Sequence, residues 1–363
     1  PDHAAMAELL FGLADTTLEV GSDPWLNDAI RSGAALGLAC LAHTGPLLGN
    51  VDTGSTVQDL DLLRAIVGDD QLNYLGFSYG TAIGARYADA FPDRVGRLVL
   101  DGALDPTASE FEVVREQTLG FEAAARAYLA DCLSRTDCPF NGTVDDAMAT
   151  IGAQLDALEA SPLKGDDGRM VGASTMLTAI LTPLYSQQAW PALDRLFSSV
   201  REGDANVALA LADSYYGRNP DGTYADNSTE AFIAINCSDY PRNGDIELMH
   251  RQAAELKEVA PTFGRFQGYG DTSCLLSPSS APTARAPIHA AGAAPIMVVG
   301  TTGDPATPYK WAVALADQLE SGVLVTFEGE GHTAYAGGNA CVDEAVENYL
   351  LTGALPADGL RCR

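Results

Sequence analysis

Residues 72–102 read LNYLGFSYGTAIGARYADAFPDRVGRLVLDG, and this stretch decides the fold. LNYLGF (72–77) is a short apolar and aromatic run with strand character. YGTAIGARYADAF (79–91) has the spacing of a helix, and RVGRLVLDG (94–102) is a second strand bounded by the turn sequence DGALDP. The order is β-α-β. At the first junction stands Gly76-Phe77-Ser78-Tyr79-Gly80, a G-x-S-x-G pattern in the strand-turn-helix context of a nucleophile elbow. The glycines permit a tight turn, and the strained position of Ser78 projects its hydroxyl from the strand end. Ala82, Gly84, Ala85 and Ala88 keep the following helix slim enough to pack on a sheet.

Upstream of this unit the chain reads mainly as helix. AAMAELLFGLA (4–14) comes first, followed by DPWLNDAIRSGAALGLACLA (23–42), with Asp23 as cap and Pro24 in the first turn. STVQDLDLLRAIVG (55–68) follows, with Ser55 or Thr56 available as N-cap. Downstream, from about Pro106 to Pro287, helical patterns dominate, with polar loops expected at SPLKGDDGR and GRNPDGTYADNST. Strand and helix then alternate again in APIMVVG, TPYKWAVALADQLE, GVLVTFEG and CVDEAVENYLLTG. The expected organisation is a core in two pieces, residues 1–105 and 288–363, interrupted by a mainly helical cap over residues 106–287.

A serine nucleophile needs a base within hydrogen-bond reach, and that base needs an orienting acid. Of the five histidines, His332 in Gly331-His332-Thr333 follows a strand directly, where a loop can reach back across the strand ends. His3, His43, His250 and His289 lack that placement. Asp304 in Gly303-Asp304-Pro305 follows APIMVVG in the same way and is the expected acid. Asp101, at the end of RLVLDG, is its rival, in a setting that reads as structural. The order Ser78, Asp304, His332 is that of the α/β-hydrolases. The N–H of Tyr79, the residue after the nucleophile, is the assignable half of an oxyanion hole. No metal, nucleotide or flavin is called for, because the glycine-rich runs lack P-loop or dinucleotide spacing and the cysteines lack zinc spacing. No cofactor is expected.

Composition narrows the partners. The 363 residues carry 49 acidic against 21 basic side chains, a formal charge of −28, with 47% hydrophobic residues. Such a chain can bury a large core, and its acidity repels nucleic acid and anionic lipid. No apolar run approaches the roughly 20 residues of a membrane span, and no signal-peptide pattern is present. The seven cysteines favour disulfides over buried thiols. Cys132 and Cys138 bracket a short loop, Cys341 and Cys362 enclose a terminal helix and tail, and Cys237 with Cys274 makes a third pair, leaving Cys40 alone. Disulfides imply an oxidising compartment.

GFSYGT, the DLDLLRA helix, PDRVGRLVLDGALDP, NCSD, GDPATP, GEGHT and the ending CVDE…YLLTGALPADGLRC together resemble the actinobacterial secreted tripeptidyl aminopeptidases and related serine proteases, in the proline iminopeptidase-like branch of the α/β-hydrolases. The resemblance runs from about Cys40 to the C-terminus. It implies Ser78 as nucleophile, Asp304 as acid, His332 as base and the 106–287 region as a substrate-binding cap. It also implies a secreted or cell-wall-associated enzyme that releases tripeptides from free N-termini. A carboxylate would then meet the substrate amine, with Glu230, Asp239 and Asp226 in candidate cap loops. A carboxylesterase or lipase-like hydrolase is the alternative enzyme, and a noncatalytic binding protein the alternative class. The family's upstream strands and N-P-G-G-P-G-type oxyanion loop do not occur in residues 1–77. The expectation is a C-terminal piece of a longer polypeptide, completed by an N-terminal fragment that pairs with Cys40.

Overall fold

The structure, a computed structural model, describes residues 18–279, 285–357 and 359–363. The helix expected at 4–14 lies outside the described residues. The first helix, α1 (Asp23–Thr44), is capped by Ser22, whose hydroxyl accepts the Trp25 N–H, so Asp23 is a first-turn acid rather than the cap. The next, α2 (Thr53–Val67), is capped by the Asp52 carboxylate, not by Ser55 or Thr56. An aspartate outcompetes the hydroxyls here because its two oxygens take both Ser55 N–H and Ser55 O–H. Then come β1 (Leu72–Phe77), α3 (Tyr79–Ala90) and β2 (Val95–Asp101).

The following stretch holds α4 (Glu110–Leu133) and α5 (Val144–Ala160), the latter opened by a reciprocal Thr143–Asp146 capping box. A two-stranded hairpin, β3 (Leu163–Lys164) with β4 (Met170–Val171), occupies the segment expected as a polar loop. Helices α6 (Ala173–Leu184), α7 (Pro191–Arg201), α8 (Asn206–Tyr216), α9 (Ser228–Asp239) and α10 (Ile246–Val259) complete it. The chain closes with β5 (Ile296–Gly303), α11 (Tyr309–Gln318), β6 (Gly322–Glu330), α12 (Ala340–Thr352) and β7 (Leu360–Cys362).

Two compact units result. Described residues within Pro1–Gly49 and Phe121–Ala281 form one, and Asn50–Gly120 with Pro282–Arg363 the other. These limits differ from the expected 1–105, 106–287 and 288–363: α1 groups with the inserted helices, and the start of α4 groups with the sheet.

In the sheet unit, five parallel strands lie in the order β1-β2-β5-β6-β7. Both faces of its centre are covered, which is why β2 and β5 read as unbroken apolar runs. Leu98, Leu100, Ile296 and Val298 pack with Val57, Ala85, Ala88, Ala312 and Leu315 from α2, α3 and α11. Val99, Met297, Val299 and Val325 pack on the other face with Val342, Val346 and Tyr349 of α12. In the helical unit, α6 is buried on most sides, and Phe140, Phe197 and Tyr128 form an aromatic cluster.

Three disulfides join Cys132–Cys138, Cys237–Cys274 and Cys341–Cys362, with Cα separations of 5.1, 5.2 and 5.6 Å, all within normal disulfide range. Cys40 is a free, half-buried thiol.

Candidate active site

Parallel strands present their carboxyl ends at one edge, and that edge collects the chemistry. Phe77 pairs with Asp101 across β1 and β2, and the Ser78 N–H donates to the Asp101 carbonyl at 2.9 Å. Ser78 itself has φ 53° and ψ −122°, a conformation that side-chain-bearing residues rarely hold. Three contacts hold it there. The Thr81 hydroxyl donates to the Ser78 carbonyl at 2.6 Å, the Thr81 N–H donates to it at 2.9 Å, and the Tyr74 hydroxyl donates to the Gly80 carbonyl at 2.8 Å. A Cβ on Gly76 would stand 2.6 Å from the Gly80 carbonyl oxygen, so the elbow closes only with glycine at that position. Tyr79 opens α3, so its N–H lies in the first turn of the helix, directly after Ser78.

Asp304 sits just past β5 and is buried. Its Oδ1 accepts the Ala306 and Thr307 N–H groups at 2.9 and 2.8 Å, and its Oδ2 accepts the Thr307 hydroxyl at 2.9 Å and the Thr333 N–H at 3.2 Å. His332 Nδ1 lies 2.9 Å from both carboxylate oxygens. These donors fix the position of the carboxylate, and its contact with Nδ1 sets the imidazole orientation.

Three strand spacings, about 14 Å, separate β6 from β1, so a base following β6 must travel back across the sheet to reach Ser78. The loop after β6 makes that crossing. A Cβ on Gly102 would meet His332 Cε1 at 3.2 Å, placing the imidazole against the end of β2. Further on, Tyr335 stacks on Phe77, the residue before Ser78, with ring centroids 6.4 Å apart. Asp304 and His332 are thus in direct contact, with the imidazole against the end of β2 and the following loop reaching Phe77 at the end of β1.

Asp101, the rival acid, does not bond the imidazole. It is fully buried and accepts the Ala334 N–H at 2.9 Å and the Tyr335 N–H at 2.8 Å. Burial pushes its carboxyl up to about 6, against the lowering effect of these two bonds. Sequence reading also passed over Thr307 and Thr81. The spacing Asp304-x-x-Thr307 is a signal for the first, since a Thr three residues after an Asp is placed to bond its carboxylate. Nothing local marks Thr81, whose hydroxyl also accepts the Leu104 N–H at 3.1 Å.

The three acids expected to meet a substrate amine are not gathered. Glu230 and Asp239 lie on α9 rather than in loops, about 13.5 Å apart along the axis. The Asp226 carboxylate is exposed and engaged by the Ser228 N–H and hydroxyl, which hold it below the usual carboxylate range. Asp239 is buried at the C-terminal end of the helix.

Residues 260–362 match the family model described as TAP-like protein. Across 328 residues the chain is 38% identical to serine protease Hip1 of Mycobacterium tuberculosis, covering 87% of this chain and 62% of Hip1. It is 40% identical to carboxylesterase B of the same organism, covering 89% and 63%. It is 27% identical to the tripeptidyl aminopeptidase of Streptomyces coelicolor, covering 89% and 60%. The chain therefore spans about three-fifths of the length of these relatives. Its residues 260–362 are a TAP-like domain, and the chain has the α/β-hydrolase fold and is similar to the serine hydrolases and proteases of the TAP-like group.

Proposed function

We propose that Ser78, Asp304 and His332 form the catalytic triad of a serine peptidase that removes short peptides from free N-termini. The observation that carries this reading is the bond from His332 Nδ1 to both oxygens of Asp304, on a loop that crosses to the Ser78 elbow. His332 takes the hydroxyl proton as Ser78 Oγ attacks the scissile carbonyl, and Asp304 stabilises the imidazolium that forms. The Tyr79 N–H receives the developing oxyanion. The C–N bond breaks as His332 returns its proton to the leaving amine, giving an acyl-enzyme and a shortened peptide. Water then attacks the ester, again losing its proton to His332, and releases the acid with Ser78 restored. A fluorophosphonate should label Ser78 and no other residue, and Ser78→Ala should abolish labelling and turnover. An unlabelled, correctly folded protein would favour a noncatalytic binding role.

The 40% identity to carboxylesterase B supports an esterase as the second reading. A free tripeptide arylamide, its N-acylated form and short acyl esters separate the two. Hydrolysis of the free arylamide alone supports the aminopeptidase, and an ester-only profile overturns it. Glu230, Asp239 and Asp226 remain the proposed candidates for meeting the substrate amine in the aminopeptidase, and because they are not gathered only one of them can do so; conversion of that one alone to its amide should raise KM for the free arylamide selectively.

Three disulfides support an exported, secreted or cell-wall-associated protein. Cys40 is proposed to pair with a cysteine of an N-terminal fragment that completes the fold. Nonreducing electrophoresis and intact mass of native material test this: a disulfide-linked species supports it, and an active 38.0 kDa species with reduced Cys40 overturns it.

A further inference from the structure

The loop that carries His332 is held in an unusual way. Four consecutive backbone N–H groups each donate to a carboxylate: Thr333 to Asp304, Ala334 and Tyr335 to Asp101, and Ala336 to Asp343. Within the same stretch, Thr333 and Ala336 have φ of 66° and 61°, left-handed values that cost energy for residues with a Cβ. A loop with two such residues does not keep this path unaided. Asp101 supplies the middle pair of restraints, from the end of β2 and next to Gly102, against which the imidazole rests.

We propose that Asp101 is a positioning residue for the reaction: the ionised carboxylate, by accepting the Ala334 and Tyr335 N–H groups, holds His332 over the elbow, and its protonation releases that hold. The proposal rests on the reading of Ser78, Asp304 and His332 as the triad. Asp101 never touches the reacting atoms and acts only through the backbone of residues 334 and 335. The charged groups facing it are the Asp304 carboxylate, which opposes its ionisation, and the His332 imidazole, which favours it. Burial at the end of β2 is the largest influence on it, and the two N–H donors from the His332 loop act against that burial. Because burial raises the carboxyl to about 6, the hold weakens within a mildly acidic range rather than near pH 4. A neutral carboxylic acid accepts these bonds less strongly than the carboxylate does.

The test uses Asp101→Asn, which keeps an acceptor of the same shape without charge, and Asp101→Ala, which removes it. Two quantities are followed from about pH 4.5 to 8: the rate of fluorophosphonate labelling at Ser78, and amide hydrogen exchange at Ala334 and Tyr335. In the wild type, labelling should fall below about pH 6 more steeply than one ionisation allows, with the protection of both amides, corrected for intrinsic exchange, falling in parallel. Asp101→Asn should label about tenfold more slowly at pH 8 and show an acid limb of one ionisation. Asp101→Ala should be slower again, while Asp101→Asn melts within a few degrees of the wild type. Labelling by Asp101→Asn within twofold of the wild type at every pH, with the same steep limb, overturns the proposal. So does wild-type protection at 334 and 335 that is unchanged down to pH 4.5. Should Asp101→Ala fail to fold, the Asn variant and the wild-type pH dependence decide the matter. An unlabelled wild type would refute the triad reading instead, and the exchange data would still report on the hold by Asp101.

Discussion

Asp304 takes donors from four residues, and the identity of its atoms matters as much as its place. Asp304→Asn keeps the volume but turns an amide NH2 toward donors at Ala306, Thr307 or Thr333, or toward His332 Nδ1. Either outcome selects the wrong imidazole tautomer or frees the ring. The expected loss in kcat is about 10³–10⁴, with KM little changed, read from steady-state kinetics on an ester or arylamide substrate. Asp101 makes a separate prediction about stability. Its carboxyl rises from an ordinary value of 3.8 to about 6 on folding, so between these pH values the folded state binds more protons than the unfolded state. Stability from this group therefore falls as pH rises through about 4 to 6 and is fully lost above 6. The Tm of Asp101→Asn relative to wild type should accordingly become more favourable as pH rises from 4 to 7, seen in parallel thermal melts; a flat difference would count against burial as the cause. The strand-end placement of Ser78, Asp304 and His332 was legible because each stands in a short local context, an elbow or a strand-end loop. The work of Asp101 was not, because its partners lie more than 230 residues away and the bonds are to backbone, which carries no sequence signature.

At the scale of elements, legibility followed periodicity. The strands β2 and β5 were readable because burial on both faces demands apolar runs, and β1 and β6 because short β-branched and aromatic runs mark them. β7 was not, since three residues, Leu360–Cys362, are too few for a pattern and are held by pairing to β6 and by the Cys341–Cys362 disulfide. Helix α9 was passed over for a similar reason: its buried side is only Cys237, Ser238 and Asp239, and Asn227 caps it without a side-chain bond, so neither an apolar stripe nor a cap signal marks it. The slim face of α3 was read correctly, and it sets a sharp constraint. A Cβ on Gly84 would lie 2.5 Å from Leu100 Cδ2 and 2.8 Å from Tyr74 Cε1, and both of those belong to the strands that frame the elbow. Gly84→Leu must push α3 off the sheet. It should cost about 1–3 kcal/mol or more in chemical denaturation and lower Ser78 labelling even where the protein stays folded, because Tyr74 also bonds the Gly80 carbonyl. Retention of both wild-type stability and labelling would mean that the helix has room that the structure does not show.

At the scale of the molecule, the sheet unit carries an open flank. β1 pairs with β2 alone among the described strands, so one row of its backbone groups has no ladder partner there. On α2 in the same unit, Leu62, Leu63, Ile66 and Val67 are 57%, 57%, 69% and 71% exposed, a run of large apolar side chains that a solvated helix face does not normally show. Charge offsets the hazard in part: at −28, repulsion between copies opposes edge-to-edge pairing near neutral pH, and that protection fades as the carboxylates protonate. The N-terminal fragment proposed above to complete the fold would cover this flank. Hydrogen exchange compares the 363-residue chain alone with a longer product containing additional N-terminal sequence. The chain alone should exchange rapidly at the outward-facing amides of β1, bind a hydrophobic dye, and aggregate as pH falls toward 5. The longer product should protect those amides, exclude the dye and label faster at Ser78, since β1 carries the elbow. Equal exchange along β1 in the two proteins, with equal labelling, would mean that the flank is left open and that the exposed residues of α2 have another use.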